Sequence, residues 1–395
     1  MALETLPAEL RILILESMPD VQTLHDLTRV SSTYRNTYHI SRRTILDRLV
    51  REQYGLIGLE EPIMAIQSSG LHAEKSANKS RIREVLNRQC VAASIPTKLD
   101  PASSLDLLHL HQIFQTVVDS FCSHTPHRQA TPSSIEKARI LRALCRLQTY
   151  CNIFGSREWT EPTADQSAPS ASKRTSSSTW YKNFTINQMW QLFFSSLPSW
   201  EVEEFGSVWV LMRNEYQRLF DEIRQEFSRT DSRWKALRPA SLPLDPWELY
   251  PSEHDDPNDY SPYFNHLILL GPAFLHKVLS QPTREDRWRL LACNAISSKS
   301  SFMDTIRVVR DPAPEQYTAE KYINDDVLQG VRMVPAIDQP NAGWKQHWHR
   351  QDVADCVIFT PRSNAPLPST PSAEAPVRTF GHCEGWEWGY ALWEL

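Results

Sequence analysis

A mainly α-helical protein is the fold class that three features of this 395-residue chain predict. Apolar residues recur at helical spacing through its longest periodic stretches. Glycine is scarce, at 11 residues, which leaves little room for glycine-rich loops. Aromatic side chains, 13 of them tryptophan, suit deep packing between helices. With 41% apolar residues the chain can bury a sizeable core, and at ~100–200 residues per domain it has the length of two or three domains. Its 42 basic and 47 acidic side chains leave a net charge of −5, the wrong sign for a general nucleic-acid binder.

The first block is short and helical. Pro7 and Glu9 suit the first turn of a helix that carries Leu10, Leu13, Ile14 and Met18 and is apolar on more than one face. Pro19 ends it and Asp20 can cap the next, where Val21, Leu24, Leu27 and Val30 repeat at three-residue steps. Ser31 or Ser32 opens a third helix with Tyr34, Tyr38, Ile45 and Leu49 as its buried stripe and Gly55 as its stop. Three such helices cannot close a large core alone. The apolar excess on the first therefore predicts docking, on a partner or on the rest of the chain.

Beyond it, residues 56–104 mix short helical pieces with polar connectors, and 105–121 form an amphipathic helix through Leu105, Leu108, Phe114, Val117, Val118 and Phe121. A further helix runs on Ile135, Ala138, Leu141, Leu144, Cys145 and Gln148 and ends near Gly155. Residues 161–179 contain no large apolar side chain and are expected to be a disordered loop. Thr185 is placed to cap a helix on Ile186, Met189, Trp190, Phe193, Phe194 and Leu197 that stops at Pro198. A second long helix follows on Phe205, Trp209, Met212, Tyr216, Leu219, Phe220 and Ile223, with Glu201, Glu203 and Glu204 in its first turn. The two stripes predict a helical hairpin.

Six prolines between 239 and 262 exclude regular helix there. Helices resume at 264–280 and 284–298, Cys356–Thr360 is a short strand, and 361–378 is a second expected disordered loop. The tail from Phe380 carries Trp386, Trp388, Tyr390 and Trp393, and periods of 2 and 3.6 both fit it.

The first block resembles a family. Leu6-Pro7-x-Glu9-Leu10, Ile14-Leu15, Met18, Leu24, Leu27, Val30-Ser31 and Tyr34 are similar, position after position, to the F-box motif. Tyr34 stands where many members have tryptophan. YRNTYHISRRTILDRLV (34–50), RILRALCRLQTYCNIFG (139–155), LPSWEVEEFGSVW (197–209), LLGPAFL (269–275) and GWEWGYALW (385–393) resemble, more loosely, segments of the large F-box-like family of filamentous fungi.

The resemblance implies an N-terminal three-helix F-box-like unit over 1–54 and a larger, irregular helical substrate-binding domain over 55–395. It implies a non-catalytic subunit of a Skp–cullin–F-box ubiquitin ligase. The N-terminal helices would bind the Skp adaptor, and through it a cullin, while the rest of the chain holds a target protein. Leu6, Pro7, Leu10, Ile14, Leu24 and Val30 match motif positions that form that interface or its supporting core. No WD, leucine-rich or kelch period is present, so no target class is implied. A module that keeps the fold outside any ligase is the first rival, and an enzyme with its site in the helical domain is the second.

Other chemistry is weakly signalled. Cys122, His124 and His127 have ligand-like spacing, but His109 and His111 lie on opposite sides of a helix and cannot share an ion. His347 and His349 lack a third ligand nearby, so no metal and no cofactor is expected. No GxGxxG, GxxxxGK[ST] or GxSxG occurs. Glu201, Glu203 and Glu204 beside Trp200 could be drawn as a glycosidase-like carboxylate pair, yet a helix first turn explains them more simply. The longest apolar run, Leu267 to Leu275, is far short of the ~20 residues a membrane span needs. Charges at Glu4, Glu9, Arg11 and Glu16 exclude a signal peptide, and seven scattered cysteines read as reduced thiols. A cytoplasmic or nuclear location without membrane contact is the expectation.

Overall fold

The computed structural model describes residues 3–87, 92, 95–124, 132–159, 183–194, 197, 199–227, 231–237, 261–294, 317–318, 335–344, 357–358, 389 and 391–393. The loops expected at 161–179 and 361–378 lie outside these residues, as does 239–260 of the proline-rich stretch; its last proline, Pro262, against expectation stands in the first turn of a helix that begins at Ser261, where no intrahelical N–H bond is lost. The described chain is mainly helical. Its α-helices are α1 (Ala8–Glu16), α2 (Val21–Val30), α3 (Ser32–Gln53), α4 (Glu60–Gln67), α5 (Lys79–Leu86), α6 (Pro101–His124) and α7 (Ser134–Phe154). There follow α8 (Ile186–Phe193), α9 (Ser199–Glu226), α10 (Ser232–Ala236), α11 (Ser261–Leu269), α12 (Pro272–Leu279) and α13 (Arg284–Asn294). Strand β1 (Tyr317–Thr318) pairs antiparallel with β2 (Val357–Ile358), within the segment expected to be extended.

Helix starts follow local chemistry. Asp20 Oδ1 accepts from the Thr23 N–H at 2.7 Å, and Ser31 Oγ from the Tyr34 N–H at 3.3 Å. Ser133 and Glu136 form a reciprocal capping box on α7, and Thr185 and Gln188 make the same exchange on α8. Two helices differ from the periodicity. Helix α8 ends at Phe193, a turn before Leu197 and Pro198. The helix expected at 264–280 is two, α11 and α12, because Gly271 lies at φ 91° and ψ 167°, which no helix accommodates, and Pro272 restarts the chain at N1.

Helices α1 and α2 pack on α3, α3 packs on α6, and α6 packs on α7. Helix α7 is the centre. It touches α4, α6, α9 and α12, as well as a short 3₁₀ turn at Ala336–Asp338. Gly155 ends α7 where the chain passes tightly under α11. A Cβ there would lie 2.2 Å from the Leu269 carbonyl oxygen, while the neighbouring Ser156 N–H bonds that same oxygen at 2.9 Å. Helices α8 and α9 meet through rings at their junction and do not pack along their lengths as the expected hairpin would: Phe193 and Phe205 meet Tyr150 of α7 edge-on at centroid distances of 5.3 and 5.9 Å, and Phe194 meets it tilted at 5.9 Å.

One apolar core runs from Leu15 and Leu24 through α7 to Trp393. The N-terminal helices share it. Tyr54 donates its hydroxyl to the Leu107 carbonyl at 2.9 Å, Arg43 bonds the carbonyls of Lys98 and Leu99, and Asp47 accepts from the Leu99 N–H. No helix is long and apolar enough among the described residues to cross a membrane.

Candidate partner-binding site

The beginning and the end of the sequence motif meet in space. The turn Leu3–Thr5 is held against the α2–α3 junction by two hydrogen bonds. Ser31 Oγ donates to Glu4 Oε1 at 2.6 Å, and the Tyr34 hydroxyl donates to the Leu3 carbonyl at 3.3 Å. Tyr34 is 1% exposed and Ser31 is buried, so the pair forms a supporting core for the turn. Leu24 and Leu15 are buried in the apolar core, and Ile14, Met18 and Leu27 pack against that core. Tyr34 thus uses its hydroxyl to fix the turn before Leu6.

The six motif residues divide by environment. Leu24 is buried and Ile14 half-buried; they support the unit from within. Leu6 is half-buried, while Pro7, Leu10 and Val30 face solvent, Val30 at 82% exposure. Leu10 and Leu13 stand one turn apart on α1, with Leu3 on the turn ahead of it. Among the described residues, the large apolar side chains left exposed are Leu3, Leu10, Leu13, Val30, Ile40 and Leu56, all in or just after the first block. Scattered exposed leucines are ordinary, and what sets these six apart is that they fall within one stretch of the sequence, residues 3–56.

No family model, no curated protein and no solved structure matches this chain. Its chemistry must therefore be read from the geometry.

A second cluster was not anticipated from the sequence. Arg139, Arg142 and Arg146 lie at i, i+3 and i+7 along α7 and are all buried. Arg142 grips Glu204 through Nε and Nη2, with contacts down to 2.8 Å, and Glu201 through Nη1 at 3.1 Å. Arg146 joins Glu61 of α4 and Glu201, each at 2.8 Å. Burial alone would pull Arg142 and Arg146 down, but the surrounding carboxylates outweigh it and hold both above the usual arginine value. Glu204 moves up as well, because its burial costs more than its arginines return. Arginine does not give up its proton in proteins, so the cluster stays ionic. The signal for it lay in the Arg spacing on one helix and the Glu-x-x-Glu spacing on another, which both read as solvated faces in isolation.

Each acid thus has a basic partner, and that is the chemistry expected of a packed ion network joining α4, α7 and α9. Glu203 is buried too. None of the three glutamates faces solvent. A Ser–His–Glu grouping at Ser120, His124 and Glu215 has the wrong connectivity for a relay. The serine (3.4 Å) and the carboxylate (3.0 Å) both meet Nδ1 of His124.

The histidines separate as the helical period requires. His111 turns in, its ring edge-on to Tyr54 at 5.2 Å with its pKa lowered to about 4 by burial, whereas His109 is exposed. Among the described residues no three His, Cys, Asp or Glu side chains converge on a metal-sized site. His127, His347 and His349 lie outside them. Cys145 and Cys151 are buried free thiols, pushed up by desolvation, and neither is poised as a nucleophile.

Proposed function

We propose that the chain is a non-catalytic substrate receptor of a Skp–cullin–F-box ubiquitin ligase. Helices α1–α3 dock on the Skp adaptor, and the body from residue 55 holds the target. The observation that carries this reading is the set of exposed apolar side chains at motif positions, Leu10 and Val30 with Leu3 and Leu13 nearby in sequence, on a block whose interior is built by Leu15, Leu24 and Tyr34. Apolar anchors at the centre of a docking surface carry most of its binding energy. The receptor acts by proximity. It raises the local concentration of a target beside the ligase's ubiquitin-carrying enzyme and makes no bond itself.

The test is capture of the full-length chain by purified Skp adaptor, with Leu10→Asp/Val30→Asp as the control. Both side chains face solvent, so the variant should keep the wild-type melt, and loss of two anchors should weaken capture by at least ~30-fold. Wild-type chain that melts cooperatively but is not captured overturns the ligase reading, and leaves the apolar block to a different partner.

A further inference from the structure

The ten residues 335–344 cross α7 without joining a sheet or a long helix, and side chains hold them. Arg139 donates to the carbonyls of Ala336 (3.1 Å) and Gln339 (3.2 Å). Arg142 donates to the Ile337 carbonyl at 2.9 Å and meets Asp338 Oδ1 at 2.8 Å. At the far end Trp344 is 1% exposed, with its ring edge-on to Trp200 at 6.2 Å. The segment is therefore read as peptides are read: main-chain carbonyls by planar donors, one carboxylate by a guanidinium, and one aromatic anchor in an apolar seat. Pro335 and Pro340 limit its conformations and lower the cost of ordering it.

The seat does not depend on its occupant for charge balance. Glu61, Glu201 and Glu204 already bind Arg142 and Arg146 and fix the fork of Arg142, and Glu204 lies 3.7 Å from Arg139; withdrawing the segment takes two carbonyl acceptors from Arg139, which water replaces as the face opens. Asp338 is a fourth acid, its side chain 47% exposed. A buried structural pair would be costly to open, whereas this contact can exchange a carboxylate for water.

We infer that the α7–α9 face is a peptide-binding site occupied in cis by residues 335–344, and that it takes in trans an acidic peptide with an aromatic residue six positions after the acid, as Trp344 follows Asp338. The site stands whether or not the N-terminal block captures an adaptor. As a tethered ligand, the segment competes at an effective concentration on the order of millimolar, so it acts as a built-in competitor that a tighter peptide displaces.

Two measurements on the full-length chain test this. The first is amide hydrogen exchange of the wild type. The N–H groups of Asp338, Gln339 and Trp344 should exchange through a local opening at least ~100-fold faster than those at the middle of α7. Exchange of both at one common rate, set by global unfolding, overturns the inference. The second uses a fluorescent peptide with the sequence of residues 335–344. It should bind the Asp338→Ala chain about tenfold more tightly than the wild type, because the weakened tether competes less. Equal binding to both chains, or none to a folded Asp338→Ala chain, overturns it as well. Substituting alanine for the peptide's own acidic residue should weaken its binding about tenfold, as the same change weakens the tether, and an unaltered affinity overturns the inference.

Discussion

At the scale of single residues, burial sets the acid response of this protein. His72, His111, His266 and His276 are all held below the ordinary histidine value of 6.5, chiefly by desolvation, His111 and His266 down to about 4. In the folded chain these rings are neutral where the unfolded chain has begun to take protons. Their contribution to stability is present above pH 6.5 and is lost as pH falls from there towards about 4. Glu204, raised by burial, works in the opposite sense, so a histidine variant is needed to separate the two. The melting temperature should fall between pH 7 and pH 5, and His266→Gln should flatten that fall; an unchanged slope in the variant would contradict the burial of this ring. The inward turn of His111 was legible from helical period alone. That of His266 was not, because its partner, Ser156 at 3.0 Å, lies 110 residues away.

At the scale of elements, glycine and proline punctuate more strongly than apolar spacing. The run LLGPAFL reads as one apolar helix, yet Gly271 occupies a conformation that is essentially closed to other residues. Its missing Cβ also matters: a methyl group would sit 3.0 Å from Gln148 Nε2, whose Oε1 receives the Ala273 N–H at 2.9 Å. Gly271→Ala should therefore destabilise the chain by about 1–3 kcal/mol, read in a denaturant titration. A cost of only a few tenths would mean that α11 and α12 can fuse. Helix α7 shows the other failure of pattern reading. Its stripe of Ile135, Ala138, Leu141, Leu144, Cys145 and Gln148 signals one buried face, but α4, α9 and the 335–344 segment cover its arginine face too. Amphipathicity describes a helix with one neighbour, and α7 has neighbours all round.

At the scale of the whole molecule, the N-terminal unit and the body are cooperative parts of one core. The proposed boundary after residue 54 falls at a true helix end, but Tyr54, Arg43 and Asp47 reach across it to Leu107, Lys98 and Leu99. Removing residues 1–54 would open the α6 surface that carries Leu107 and His111. The chain from residue 55 onwards should then melt without a cooperative transition, or aggregate, under conditions where the full chain melts once. A sharp transition in the truncated chain would show that the body folds alone. The α3–α6 contacts also make the block a rigid mount, so an adaptor bound on α1 and α2 would hold the body in a fixed direction.

What the sequence by itself determined is what neighbours along the chain decide: the helical class, the caps at Asp20 and Thr185, and the motif spacing from Leu6 to Tyr34. These depend on contacts within a few residues, where spacing is geometry. The tertiary structure alone decided which charges are interior. Arg142 and Glu204 stand 62 residues apart, and Arg142 and Asp338 are 196 apart. Each reads locally as a solvated side chain, because a charge on a helix faces water unless another element brings its opposite. The same holds for the exposed Leu10, Leu13 and Val30: their spacing marked them as apolar, and only the packing of α1 and α2 on α3 left them facing outwards.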